Sequence, residues 1–120
     1  MFKNDLYVTE ISKEDFDKLG VSASKGVMSR DGDVHEHTNI EIDMSKYIED
    51  VIGTCTNVVV ILFKEPTYVK YYMNAVQDYI IYPDCDGVYK NRDRYTFAFI
   101  NGESFVLNES EIAKIYLIRM

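Results

Sequence analysis

Both histidines of this chain fall in one short stretch, Asp31-Gly32-Asp33-Val34-His35-Glu36-His37. In an extended strand alternate side chains point to the same face. Asp33, His35 and His37 would then converge, with Glu41 two further steps along the same face. Imidazole and carboxylate ligands at that spacing suit zinc or iron, so His35 and His37 are the candidate metal pair of a metal-dependent enzyme. A second group with chemical potential is Tyr89-Lys90-Asn91-Arg92-Asp93-Arg94-Tyr95, the one basic cluster of the chain. Arginine beside tyrosine can hold a phosphate and stack a base, so Arg92, Arg94 and Tyr95 form a candidate nucleotide site. The two cysteines, Cys55 and Cys85, lie thirty positions apart. They form no C-x-x-C pair, and two thiols alone do not complete a structural zinc site. Asp84 and Asp86 flank Cys85; adjacent negative charge disfavours a thiolate there and argues against a nucleophile.

The His35-x-His37…Glu41 spacing resembles part of the first cupin motif, which implies a metal held inside a β-barrel. The resemblance covers residues 35–41 only. The glycines of that motif are not at the expected places, and no histidine follows His37 to serve a second motif, so the chain is not assigned to that family. Other catalytic signatures are missing from the sequence. It has no G-x-S-x-G elbow, no H-E-x-x-H, no phosphate loop ending in Gly-Lys-Ser/Thr and no G-x-G-x-x-G. The chain is therefore expected not to be an enzyme, and no cofactor is expected.

Charge narrows the partners. Twenty acids against thirteen bases give a formal charge of −7, the wrong sign for displacing counterions from nucleic acid. The excess is uneven: residues 1–50 hold twelve acids and six bases, a balance of −6. Such a surface suits a larger protein with a basic face. Glu41, Asp43, Glu49 and Asp50 are the acids expected to meet it. Tyrosine is over-represented, with ten residues and no tryptophan. Tyr68 and Tyr71 are expected at the same contact, because tyrosine is enriched at interface hot spots. An exposed tyrosine patch could also build a homo-oligomer.

These residues need elements to position them. At 120 residues the chain is read as one domain, 1–120, large enough to bury a core without staples. The longest apolar run is Val58-Val59-Val60-Ile61-Leu62-Phe63, far short of the roughly 20 residues a membrane helix needs. Being β-branched and unalternating, it reads as a strand buried on both faces. Residues 6–11 read as a short strand, and Ser12 as the N-cap of a short helix ending at Gly20. Residues 21–32 read as a loop and 34–43 as a half-exposed strand. Met44, Tyr47, Ile48, Val51 and Ile52 recur at helical spacing, so 44–52 is an amphipathic helix. The periodicity of Val69, Tyr72, Met73, Val76 and Ile80 predicts a third helix over 68–81. Residues 83–87 read as a turn.

Asn101-Gly102 between two apolar stretches predicts a hairpin over 95–107 with a two-residue turn. Phe97 would then face Val106, and Ala98 would face Phe105. Residues 112–118 read as a third strand or a terminal helix, and the β-rich Ile115-Tyr116-Leu117-Ile118 favours strand. The expected fold is α+β: a small mixed or antiparallel sheet with this C-terminal hairpin and two to three helices packed on it.

The N-terminal residues Met1-Phe2-Lys3-Asn4-Asp5 contain no long apolar stretch, so a cytoplasmic protein with free thiols is expected. Ile, Tyr, Asn and Lys total 38 residues against 16 for Ala, Gly, Arg and Pro, a skew that an AT-rich bacterial, phage or mobile-element genome produces. The function expected from these features is a small acidic inhibitor, immunity protein or phage anti-defence factor that sterically blocks a basic surface. An oligomeric nucleotide binder using Arg92, Arg94 and Tyr95 is the alternative.

Overall fold

The computed structural model describes residues 6–28, 37–52, 57–69, 75–83, 85–100 and 102–120. Its centre is the apolar run singled out above, which lies in β4 (Asn57–Val69). Val58 and Val60 point to one face of their sheet and Val59, Ile61 and Phe63 to the other, and all five are buried. That is why the run does not alternate: each face meets its own apolar layer.

The sheet around β4 has six strands, in the order β1 (Val8–Ser12), β9 (Ile112–Arg119), β4, β5 (Ala75–Pro83), β2 (Ser22–Met28) and β3 (His37–Asp43). The β1–β9 pair is parallel and the others are antiparallel. A second sheet joins β6 (Cys85–Asn91), β7 (Arg94–Phe99) and β8 (Ser104–Asn108) in antiparallel order. It packs over one face of the large sheet, where Val59, Ile61, Phe63, Ile80, Val88, Tyr95, Phe97, Ile112 and Ile115 share one core.

The opposite face carries α1 (Lys13–Leu19) and α2 (Met44–Tyr47), the latter continued by a π-helical turn, Ile48–Ile52. Phe16, Met44 and Ile48 are buried there against Val58, Val60, Tyr79, Ile81 and Ile118. The molecule is thus broadly α+β and mostly β, layered as helices, six strands and three strands. Among the described residues no helix is long and apolar enough to cross a membrane.

Local signals account for several boundaries. Ser12 caps α1, its hydroxyl accepting from the Asp15 amide at 3.2 Å, and Gly20 ends it at φ 64, where a side chain would be strained. Asp43 caps α2 by accepting from the Ser45 and Lys46 amides at 3.1 and 3.4 Å.

Three expectations are corrected. The predicted helix over 68–81 is strand: β4 continues to Val69 and β5 begins at Ala75. Its helical spacing was coincidental, and pairing of Tyr79, Ile80 and Ile81 with Leu62, Ile61 and Val60 decides the conformation. Residues 21–32, read as a loop, contain β2, held by β3 along its length and by β5 at Lys25 and Gly26. The Asp78 carboxylate also accepts from the Ser24 amide at 2.7 Å.

In the β7–β8 hairpin Phe97 faces Phe105, and Ala98 faces Ser104, one residue from the predicted register. The loop is three residues, 100–102. Phe99 donates its amide to the Glu103 carbonyl at 2.9 Å, and Gly102 donates to Phe99 at 3.0 Å. Gly102, at φ 87, takes the left-handed position of a bulged hairpin turn. A one-residue slip moves every side chain to the other face. Here it brings Phe105 inside, stacked on Phe97 with centroids 4.9 Å apart and tilted against Tyr82 at the same distance, and leaves Val106 outside.

Two irregularities serve the same end. In the β4–β9 ladder Leu62 pairs with Lys114 and Phe63 with Ile112, so Ala113 is an extra residue. This bulge turns Ile112 to the same core as Ile115, which strict alternation forbids. In the β4–β5 ladder residues 63–66, including Pro66, oppose Asp78 alone. Pro66 has no amide to give a ladder, so an interruption there is the expected response.

Candidate functional site

Of the acids expected at an interface, Glu49 and Asp50 lie in the helical layer and Asp43 at its entry, whereas Glu41 alternates with Ile42, which packs on the helix-side core, and so points to the opposite face of the sheet. Glu14, Asp15 and Asp17 lie on α1; Glu49 and Asp50 lie on the π-helical turn beside it. Lys13 links the two elements, reaching Asp17 at 2.5 Å and Glu49 at 3.2 Å. Glu41 is exposed on β3, an edge strand, and Asp43 stands where β3 enters α2. Over residues 12–20 and 43–52 there are six acids and three lysines, a balance of −3 out of the chain's −7.

The acids in this layer are not equivalent. Asp43 is engaged as a helix cap. Asp17 is held below the usual carboxylate range, chiefly by the hydrogen bond from Lys13, against a smaller opposing effect of burial. Burial alone would lower the Lys13 ammonium, but hydrogen bonds and charge from Asp17 and Glu49 outweigh it and raise the group. Lys18 stands 3.9 Å from Glu14 and 3.8 Å from Asp15, with all three side chains largely in water. Exposed pairs at such distances contribute little, so Glu14, Asp15 and Asp50 remain available in this layer. Tyr68 lies in β4, with its side chain outside the described residues, and Tyr71 lies outside them altogether.

The basic cluster forms the β6–β7 hairpin, in which Asn91 faces Arg94 and residues 92–93 make the turn. Arg92 and Arg94 are exposed. Tyr95 is fully buried, which corrects its assignment as a ligand-stacking residue. Its ring is part of the core, with the Lys90 ammonium 5.2 Å from its centre. Lys90 also reaches Glu109 at 3.6 Å. The exposed ring of this region is Tyr89, on the outer face of the small sheet with Thr96 and Val106, and its phenol end lies across Gly87. Alternation alone places Tyr89 and Tyr95 on opposite faces once the turn at 92–93 is known; that turn was the missing signal.

His35 lies outside the described residues, and His37 is placed only by its backbone in β3. Cys55 is likewise outside them. Cys85 is buried, and its thiol lies 3.4 Å from both the Gly87 and Ala98 carbonyl oxygens. Two acceptors favour the protonated thiol as donor, which does not suit nucleophilic chemistry.

Sequence reasoning also missed a cleft of about 240 Å³ at one end of the sandwich. Glu10, Leu117, Arg119, Val59 and Asn57 line it from the large sheet, and Cys85, Gly87 and Val88 from β6. It is shared by β1, β9 and β4 of the large sheet and β6 of the small one, a combination that no local pattern reports. Comparison with protein-family models, curated proteins and solved structures finds no match to this chain.

Proposed function

We propose that this chain is a protein-binding module whose acidic helical layer docks on a basic surface of a larger protein and blocks it sterically. An inhibitor, an immunity protein or a phage anti-defence factor acts in this way, and the reading assigns the chain no catalysis. The observation that supports it is the collection of acids from residues 12–20 and 43–52 on the helix side of the six-stranded sheet. Opposed charge of this kind steers encounter and discriminates between partners.

The test is affinity capture from a bacterial cytosol followed by a salt gradient, comparing the wild type with a Glu14→Lys, Glu49→Lys, Asp50→Lys variant. Asp43 is left intact because it caps α2. The expected result is a basic protein retained by the wild type, released by rising salt and lost by the variant, since interactions between exposed charges are screened by salt. The captured protein should also lose its own activity when the wild type is added. Equal retention by both forms, with both folded by circular dichroism, would rule the acidic layer out as the docking surface.

A further inference from the structure

The cleft lies on the other side of the six-stranded sheet from the helices, and its lining has a chemical order. Register places Glu10 of β1 beside Leu117 of β9, and Arg119 of β9 beside both Ser12 of β1 and Asn57 of β4. Val8, Val59 and Leu117 pack on the small-sheet side. Glu10, Asn57 and Arg119 stand two residues from them and so point the same way. With about 3.3 Å of rise per residue and about 4.8 Å between strands, the Glu10 and Arg119 Cα atoms lie about 8 Å apart. The floor between them is aliphatic: Val59, Leu117 and, from β6, Val88. Neither Glu10 nor Arg119 has an ion pair among the described residues. An anion and a cation therefore stand at the mouth of an apolar cleft without neutralising each other.

We propose that this cleft binds a free aliphatic α-amino acid of about the size of leucine or methionine. Its carboxylate pairs with the Arg119 guanidinium, which offers a planar fork matched to two oxygens. Its ammonium pairs with the Glu10 carboxylate, and the side chain covers Val59, Val88 and Leu117. The charges select a zwitterion over a simple acid or amine, since either of those pairs with only one of the two mouth charges. Volume selects the size. A cleft of 240 Å³ is smaller than the roughly 300–1,000 Å³ of drug-sized sites. At about 30 Å³ for each water-sized atom group it holds about eight, close to the nine non-hydrogen atoms of leucine. An amino acid of that size, at a ligand efficiency between those of the best very small ligands and of drug-sized ones, has a Kd of about 0.1–1 mM.

The test is isothermal titration calorimetry of the intact chain with L-leucine, leucinamide and 4-methylvalerate. L-leucine is expected to bind, with each analogue at least about 10-fold weaker for want of one charge. Arg119→Gln and Glu10→Gln change exposed residues and should leave the fold intact. Each is expected to weaken leucine about 10-fold, and Arg119→Gln should bind leucine and leucinamide alike. A second readout needs no variant. Saturating L-leucine should raise Tm by several degrees, and 4-methylvalerate at the same concentration by clearly less. No heat up to 10 mM leucine or methionine would overturn the proposal. So would equal affinity for 4-methylvalerate, unchanged binding in both variants, or an unchanged Tm in saturating leucine.

Discussion

Replacing Lys13 with methionine isolates the contact that joins the two helical elements of the acidic layer. Methionine keeps most of the apolar stem, which packs as lysine stems do, and removes only the charge. The Lys13 side chain is 14% exposed, while Asp17 and Glu49 are 38% and 62% exposed. Water screens the acidic ends, so each pair falls within the range of about 0.2–1 kcal/mol seen for surface pairs. Together they should be worth about 1 kcal/mol at pH 7, or about 3–5 °C in Tm for a domain of this size.

The pH dependence fixes the cause. Asp17 is lowered from 3.8, so its contribution is complete above that value and disappears as pH falls through the lower, folded value. Lys13 is raised from 10.5, so its contribution is complete below that value and is lost only as pH climbs through the higher, folded one. Urea denaturation of wild type and Lys13→Met should therefore differ by about 1 kcal/mol between about pH 5 and pH 10 and converge towards pH 2. A difference that persists undiminished at pH 2 would show that stem packing, not charge, holds the helices together. The same variant makes the layer one unit more negative. If the proposed function holds, it should bind its basic partner more tightly at low salt, despite being less stable.

Other outcomes follow from single contacts. Phe105→Ala should cost about 2–3 kcal/mol in thermal or urea unfolding, somewhat below the usual figure for a fully buried ring, because Phe105 is only partly buried. Val106→Ala, at a position 52% exposed, should stay within about 0.5 kcal/mol; the reverse ranking would mean the hairpin has the other register. Arg92 holds φ 58, which costs a non-glycine residue about 1–2 kcal/mol. Glycine there gives back about 0.5–1 kcal/mol through its freer unfolded chain. Arg92→Gly should thus raise stability by about 0.5–1 kcal/mol in the same assay, and a loss would contradict the turn geometry. Ser12→Ala removes the cap of α1 and should cost about 1 kcal/mol, read as a lower urea midpoint with an unchanged slope.

Some of this protein is determined by its sequence alone, because the responsible forces act between near neighbours. Ser12 and Gly20 bound α1 by satisfying or relaxing the adjacent backbone. The spacing of Met44, Tyr47, Ile48 and Ile52 marks helical turns with one apolar face, although the second half is π-helical. The unalternating run from Val58 to Phe63 has only one economical place, between two layers. The acidic excess of the first half is likewise plain in the composition.

Tertiary structure decided the rest. Residues around Tyr79 carry patterns that fit both periods, and only pairing with Leu62, Ile61 and Val60 makes them strand. The hairpin of Asn101-Gly102 accepts a two-residue or a three-residue loop, and the chance to stack Phe105 on Phe97 selects between them. Tyr95 reads as a surface residue beside arginines, but a core waits on its side of the small sheet. The acids of α1 and of the π-helical turn become one layer, and Glu10 and Arg119 flank one cleft, only because distant strands share a sheet. Each depends on contacts between residues far apart in the chain, and local periodicity carries no record of which distant segment will be adjacent.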